Sequence, residues 1–166
     1  RNFDTGIQYA LARILVDPMF IFRFEEEPDG LSDGDNYRLG AYELASRLSF
    51  FLWSSIPDEQ LLAAASSGEL TDKKVQDQQI QRMLRDPKAS ALVENFAASW
   101  LSLRQLNTVN PTSEDFDGSL RLSMKRETEL LLEAVILEDR PVMELLTADY
   151  TFVNERLAKH YDIPNV

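Results

Sequence analysis

The stretch AYELASRLSFFLW, residues 41–53, constrains this fold more than any other part of the chain. Ala41, Leu44, Ala45, Leu48, Phe51 and Leu52 recur at three- and four-residue spacing, so they share one face of a helix. Tyr42, Phe50 and Trp53 widen the stripe until the helix is apolar nearly all round. Such a helix holds only when other elements cover it. It is expected at the centre of a helical core.

Helical spacing runs through almost the whole chain. Ile7, Ala10, Leu11, Ile14 and Leu15 share a face in GIQYALARILV, and Asp17-Pro18 ends that helix. Phe20, Phe22 and Phe24 alternate in MFIFRF, but a helical turn restarted at Pro18 suits the context better. The acidic EEEPDGLSDGDNY is the clearest loop. After residues 41–53, Pro57 opens a short helix that Gly68 ends. Thr71 is the expected cap of the helix carrying Val75, Ile80, Met83 and Leu84. Asp86-Pro87 breaks that helix. In the next, Leu92, Val93, Phe96, Trp100 and Leu103 fall on one side. The longest helix is expected from about Ser119 to Glu138, with Leu120, Met124, Leu131, Ala134 and Val135 facing inward. Pro141 opens VMELL, and Thr151 or Asn154 caps a last helix reaching Tyr161. The fold expected is all-α, a single irregular bundle of about seven helices.

Composition narrows the function. The net charge of −11 disfavours phosphate backbones and anionic membrane surfaces. The absence of cysteine removes thiolate chemistry, disulfides and covalent c-type haem attachment. No apolar run approaches the ~18–20 residues of a membrane helix. The chain starts at Arg1 and ends at DIPNV, and it reads as a segment of a longer protein.

Four features could carry chemistry. Asp29, Asp33, Asp35 and Asn36 are hard oxygen donors of the kind calcium takes, and Gly34 stands five residues after Asp29. However, Leu31 and Gly40 occupy positions where a calcium loop needs ligands, so a solvated acidic loop is the plainer reading. Glu127 lies beside the apolar stripe of the longest helix, where a carboxylate needs a partner. Arg47, set in the apolar second helix, is the obvious one. His160 is the single histidine, and no nucleophile motif accompanies it, so a structural role is expected. Trp53 and Trp100 close two apolar helices. Exposed, they would offer a platform to a sugar or a partner; core burial is the expectation for both. No catalytic, cofactor-binding or metal-ligating residue is assigned, and no cofactor is expected in this segment.

The segments ALARILVDPMFIFRFE, YRLGAYELASRLSFFLWSSIPDEQLL, LVENFAASWL, RETELLLEAVI and LLTADYTFVNERLAKHYDIP, in that order, resemble a domain-of-unknown-function family. That family is found in large multidomain proteins, mostly of planctomycetes and related bacteria. The resemblance implies an exported, extracytoplasmic parent that often carries a separate c-type cytochrome domain. It implies that residues 1–25 are the end of a preceding helical domain packed on the rest, and that 38–166 form the main domain. Where the family usually has a Ser or Asp cap this chain has Gly40, and where it commonly has glycine this chain has Asp162. Both departures cost helix-end stability.

The expected function is a non-catalytic helical scaffold or interaction module, its partners being neighbouring domains of the same protein. Two alternatives stay open. One is a contribution to a substrate or redox site shared with neighbouring domains, with polysaccharide-linked chemistry as the guess. The other is calcium binding through the acidic loop 25–36.

Overall fold

The computed structural model describes residues 2–22, 25, 27–112 and 115–166. Phe24 and Glu26 of the sequence reading lie outside them. Among the described residues there are helices and no strand. The helices are α1 (Phe3–Leu15), α2 (Pro18–Ile21), α3 (Ala41–Trp53), α4 (Glu59–Ser66), α5 (Lys73–Leu84), α6 (Ala98–Trp100), α7 (Gly118–Leu137), α8 (Glu144–Thr147) and α9 (Glu155–His160). A π-helical stretch, Leu92–Ala97, runs directly into α6. The all-α expectation holds. There are more pieces than seven because Pro18–Ile21 stands as its own turn and the π stretch splits one expected helix.

Local chemistry sets most of the ends. Asp17 accepts the Met19 amide and restarts the chain as α2 at Pro18. Two expected starts shift, one by two residues and one by a single residue. Asp58, not Pro57, opens α4 by accepting the Leu61 amide at 2.9 Å. Asp72, not Thr71, caps α5, because its carboxylate takes the Lys74 and Val75 amides, whereas the Thr71 hydroxyl turns back to the Gly68 carbonyl. Gly68 sits just past α4 at φ +77°, a conformation that glycine adopts without a Cβ penalty. Asn154 caps α9, accepting the Leu157 amide.

α3 spans the expected residues and lies at the centre of the first core cluster. It packs against α4, α5 and the π stretch. Ala45, Leu52 and Trp53 are buried with Leu61, Leu70, Met83, Ala89 and Leu92. The expectation that α3 is covered all round is corrected: Tyr42 and Phe51 are exposed and Leu48 is only partly buried. The Trp53 indole N–H donates to the Met83 carbonyl at 2.9 Å. Arg82 and Lys88 lie over the indole, 5.4 and 4.8 Å from its centroid. Arg82 also grips Asp58 through two bonds of 2.6 and 3.0 Å. Burial pushes the Asp58 carboxyl up, but the Arg82 fork and the Leu61 amide outweigh it and hold its pKa below the usual range. A depressed carboxyl contributes stability above its unfolded pKa and loses it as the pH falls through the folded value.

The second half is built on α7. Leu120, Leu132, Ala134 and Val135 are buried on it, and Leu157 and Ala158 of α9 are buried as α9 packs against it. Leu131 is less buried than expected, and Leu132 takes its place. In the last stretch Leu157 is fully buried, whereas Tyr161 is exposed.

The region 92–100 departs most from the sequence reading. An α-helix would bury Leu92, Phe96 and Trp100, which are four apart. The π winding closes on the fifth residue instead. Leu92 and Ala97, and Val93 and Ala98, are five apart and all four are buried. Phe96 is 48% and Trp100 63% exposed. Burial of Trp53 is therefore as expected, and that of Trp100 is corrected.

Leu52→Ala should lower stability by ~2–5 kcal/mol, the usual cost of a large-to-small core change, with Leu48→Ala clearly milder. Chemical denaturation measures both, and equal losses would remove the asymmetry of α3. Asp162 follows α9 at φ +56°, where only glycine is unstrained. Asp162→Gly should raise stability by about 0.5–1 kcal/mol; a loss would mean that the aspartate side chain matters more than its backbone.

Candidate functional site

The four sequence candidates do not converge. Arg47 pairs with Glu25, both bonds at 2.5 Å, and not with Glu127 as expected. Its partner comes from 22 residues upstream. The hydrogen bond from Arg47 lowers the Glu25 carboxyl pKa.

Glu127 instead fastens the C-terminal segment to α7. Its carboxylate accepts the Thr151 hydroxyl at 2.5 Å and the Tyr161 hydroxyl at 2.8 Å. Partial burial, and then the bond to Glu127, push the Tyr161 phenol up to about 12. His160 is exposed and its ring tilts against Tyr161, with centroids 5.6 Å apart. Among the described residues it makes no hydrogen bond to the protein, and Leu157 and Ala158 are the residues of α9 that are buried.

The acidic loop folds on itself. Asp35 accepts the Ser32 amide at 2.9 Å, and its own amide donates to the Ser32 carbonyl. Among the described residues, no three histidines, cysteines or carboxylates come together as metal ligands would.

Two groups escaped the sequence reading. The first is Glu129, 7% exposed, the buried carboxylate that Glu127 was expected to be. Lys125 reaches it at 3.3 Å and Arg126 at 3.5 Å, and Arg126 also holds Glu133 at 2.7 Å. The signal was present, since Lys125 and Arg126 stand four and three residues before it on one helix. No buried side-chain polar atom among the described residues lacks a partner. This network therefore satisfies itself.

The second is a surface cleft of about 490 Å³ lined by Phe50, Phe51, Ser54, Asn95, Phe96, Ser99 and Trp100. Phe96 and Trp100 lie nearly parallel, 18° apart with centroids at 6.2 Å. Phe51 meets Phe96 edge-on at 5.4 Å. The Asn95 amide donates to the Ser54 hydroxyl at 2.9 Å. Ser54 itself ends α3 at φ +51°, a strained conformation for a residue with a Cβ. Its alcohol thus faces the π stretch across the cleft. Only the five-residue spacing of Leu92 with Ala97 hinted that Phe96 would turn outward.

Fold and side-chain chemistry together define a small all-α domain whose charged clusters tie helices to one another, with no assembled catalytic constellation among the described residues. The chain belongs to the family described as protein of unknown function DUF1592 (PSD4), which matches residues 39–163. No curated protein and no solved structure matches it. α1 and α2 lie outside the matched residues.

The Tyr161–Glu127 contact is open to titration. A raised phenol pKa contributes stability that is complete below the unfolded value near 10 and is lost as the pH rises through about 12. Phenolate absorbance should show one of the five tyrosines ionising near 12. Glu127→Gln should lower it. If Glu127→Gln leaves it unchanged, the bond does not hold in solution.

Proposed function

We propose that this domain is a non-catalytic helical interaction module, and that α1 and α2 dock it on a neighbouring domain of the same, larger protein. One observation carries the reading. α1 has a coherent apolar face, yet neither α1 nor α2 contains a buried residue. Phe3, Leu11, Ile14, Leu15, Met19 and Phe20 are all more than half exposed. Exposed apolar residues scattered singly need no explanation, but a contiguous face of this kind marks a contact surface. The start of the family match at residue 39 supports treating residues 1–25 as the end of a preceding helical unit. On the family resemblance, the parent is an exported bacterial protein with a cytochrome domain, and this module acts outside the cytoplasm. The helical segment then serves to position domains, not to carry out a reaction.

Tyr9, 73% exposed on α1, offers a test. In the full-length parent, a photo-crosslinking benzoylphenylalanine in place of Tyr9 should couple to another domain of the same polypeptide. Deletion of residues 1–22 should abolish that contact and leave the 39–163 region with nearly unchanged melting. Crosslinks that fall back into 39–163, or unfolding of the truncated chain, would contradict the proposal.

A further inference from the structure

We propose that the cleft between the end of α3 and the π stretch is a binding site for an uncharged saccharide ring, stacked on Phe96 and Trp100. Three independent observations lead to it.

The first is charge. Of the seven lining residues none is ionisable, in a chain where 27% of residues are charged and the net charge is −11. A site of that kind repels no neutral ligand and offers a charged one no counter-ion. Its volume of about 490 Å³ falls within the ordinary ~300–1,000 Å³ of small-ligand clefts.

The second is shape. A ring held between two aromatic faces needs roughly 7 Å between them, twice a carbon–carbon contact distance. Phe96 and Trp100 are 6.2 Å apart and touch each other. No slot exists between them, which disfavours a proline ring wedged as in polyproline grooves. What they present is exposed aromatic surface, the floor of the cleft. The C–H face of a pyranose covers such a floor and buries apolar area without giving up its hydroxyls.

The third is the polar rim. The Asn95 amide and the Ser54 and Ser99 hydroxyls each both donate and accept. Asn95 uses one donor on Ser54, and its side-chain carbonyl oxygen accepts no hydrogen bond among the described residues. Sugar hydroxyls also donate and accept, so they match this rim on both counts. A proline-rich backbone supplies acceptors alone. The rim sits on a π-helical segment and a left-handed serine, two backbone features that cost energy and recur at functional sites.

The probes are an array of neutral and charged glycans and a decaproline peptide, applied to the 166-residue protein. A glycan retained on the array is then titrated against the protein by intrinsic fluorescence. The two tryptophans separate cleanly, because Trp53 is buried and Trp100 exposed. The expected result is retention of at least one neutral glycan, with a change in Trp100 emission. Trp100→Ala should weaken binding about tenfold or more, Asn95→Ala severalfold, and Trp100→Phe should restore part of it. Melting should stay close to wild type in all three, since each residue is exposed. Retention of no neutral glycan would overturn the proposal. So would equal affinity in Trp100→Ala, or Trp100-dependent binding of decaproline in place of glycans.

Discussion

Trp53 is the point on which the first half of the structure depends. Its indole is 3% exposed at the end of α3, and its N–H finds the Met83 carbonyl at the end of α5. A buried indole N–H without an acceptor costs about 1–3 kcal/mol, so the end of α5 is fixed where that carbonyl can be reached. The ring then draws two cations onto it, Arg82 from α5 and Lys88 from the turn after it. Each such contact contributes ~0.5–2 kcal/mol depending on desolvation. Arg82 passes the constraint on, because its other edge holds Asp58 and Asp58 opens α4. One side chain thus sets the relative places of three helices. The apolar stripe of α3 supplies the driving force, and Trp53 supplies the register.

The second half is held by a different chemistry. Residues 151–161 lie on α7 through polar contacts around Leu157 and Ala158. Thr151 and Tyr161 bond to Glu127, Asn154 donates to the Ser123 hydroxyl, and Arg156 pairs with Asp117, the cap of α7. Asp117 is exposed, and such pairs are weak singly. Here they act on a segment that has a buried leucine to anchor it. The π stretch joins the halves. Leu92 belongs to the cluster around Trp53, and its neighbour Val93 belongs to the cluster with Ala97 and Leu132. Adjacent residues thus reach two cores from one turn of the π stretch.

That geometry explains what could be read from the sequence. Helix ends were legible because caps are local. Asp17, Gly68 and Asn154 act within three residues of themselves, and the expected start at Pro57 and cap at Thr71 were displaced by two positions and by one. The centrality of α3 was legible because its apolar stripe is long. Trp100 was misread for a physical reason. A period of 3.6 residues was imposed on a segment that closes on the fifth residue, and Phe96 and Trp100 rotated out of place. Partners across loops were not legible at all. Arg47 had an apolar helix around it and a carboxylate on the longest helix as its nearest plausible mate, yet Glu25 reaches it from a loop that no periodicity describes. Glu127 and Glu129 sit two residues apart and so on nearly opposite sides of α7; which side meets the core is set by packing that the stripe alone left open.

The rotation that exposed Phe96 and Trp100 bears on how the molecule stays dispersed. α1, α2 and the aromatic cleft leave large apolar side chains such as Phe3, Met19, Phe20 and Trp100 exposed. Attraction between such surfaces is short-ranged and opposed by a net charge of −11 on each copy. Pairing two copies through either surface would bring both charges together at an area of modest size. A neutral ligand in the cleft meets no such opposition. The acidity of the chain therefore does more than keep it soluble. It sets a cost on self-association through the apolar surfaces that a neutral occupant does not meet.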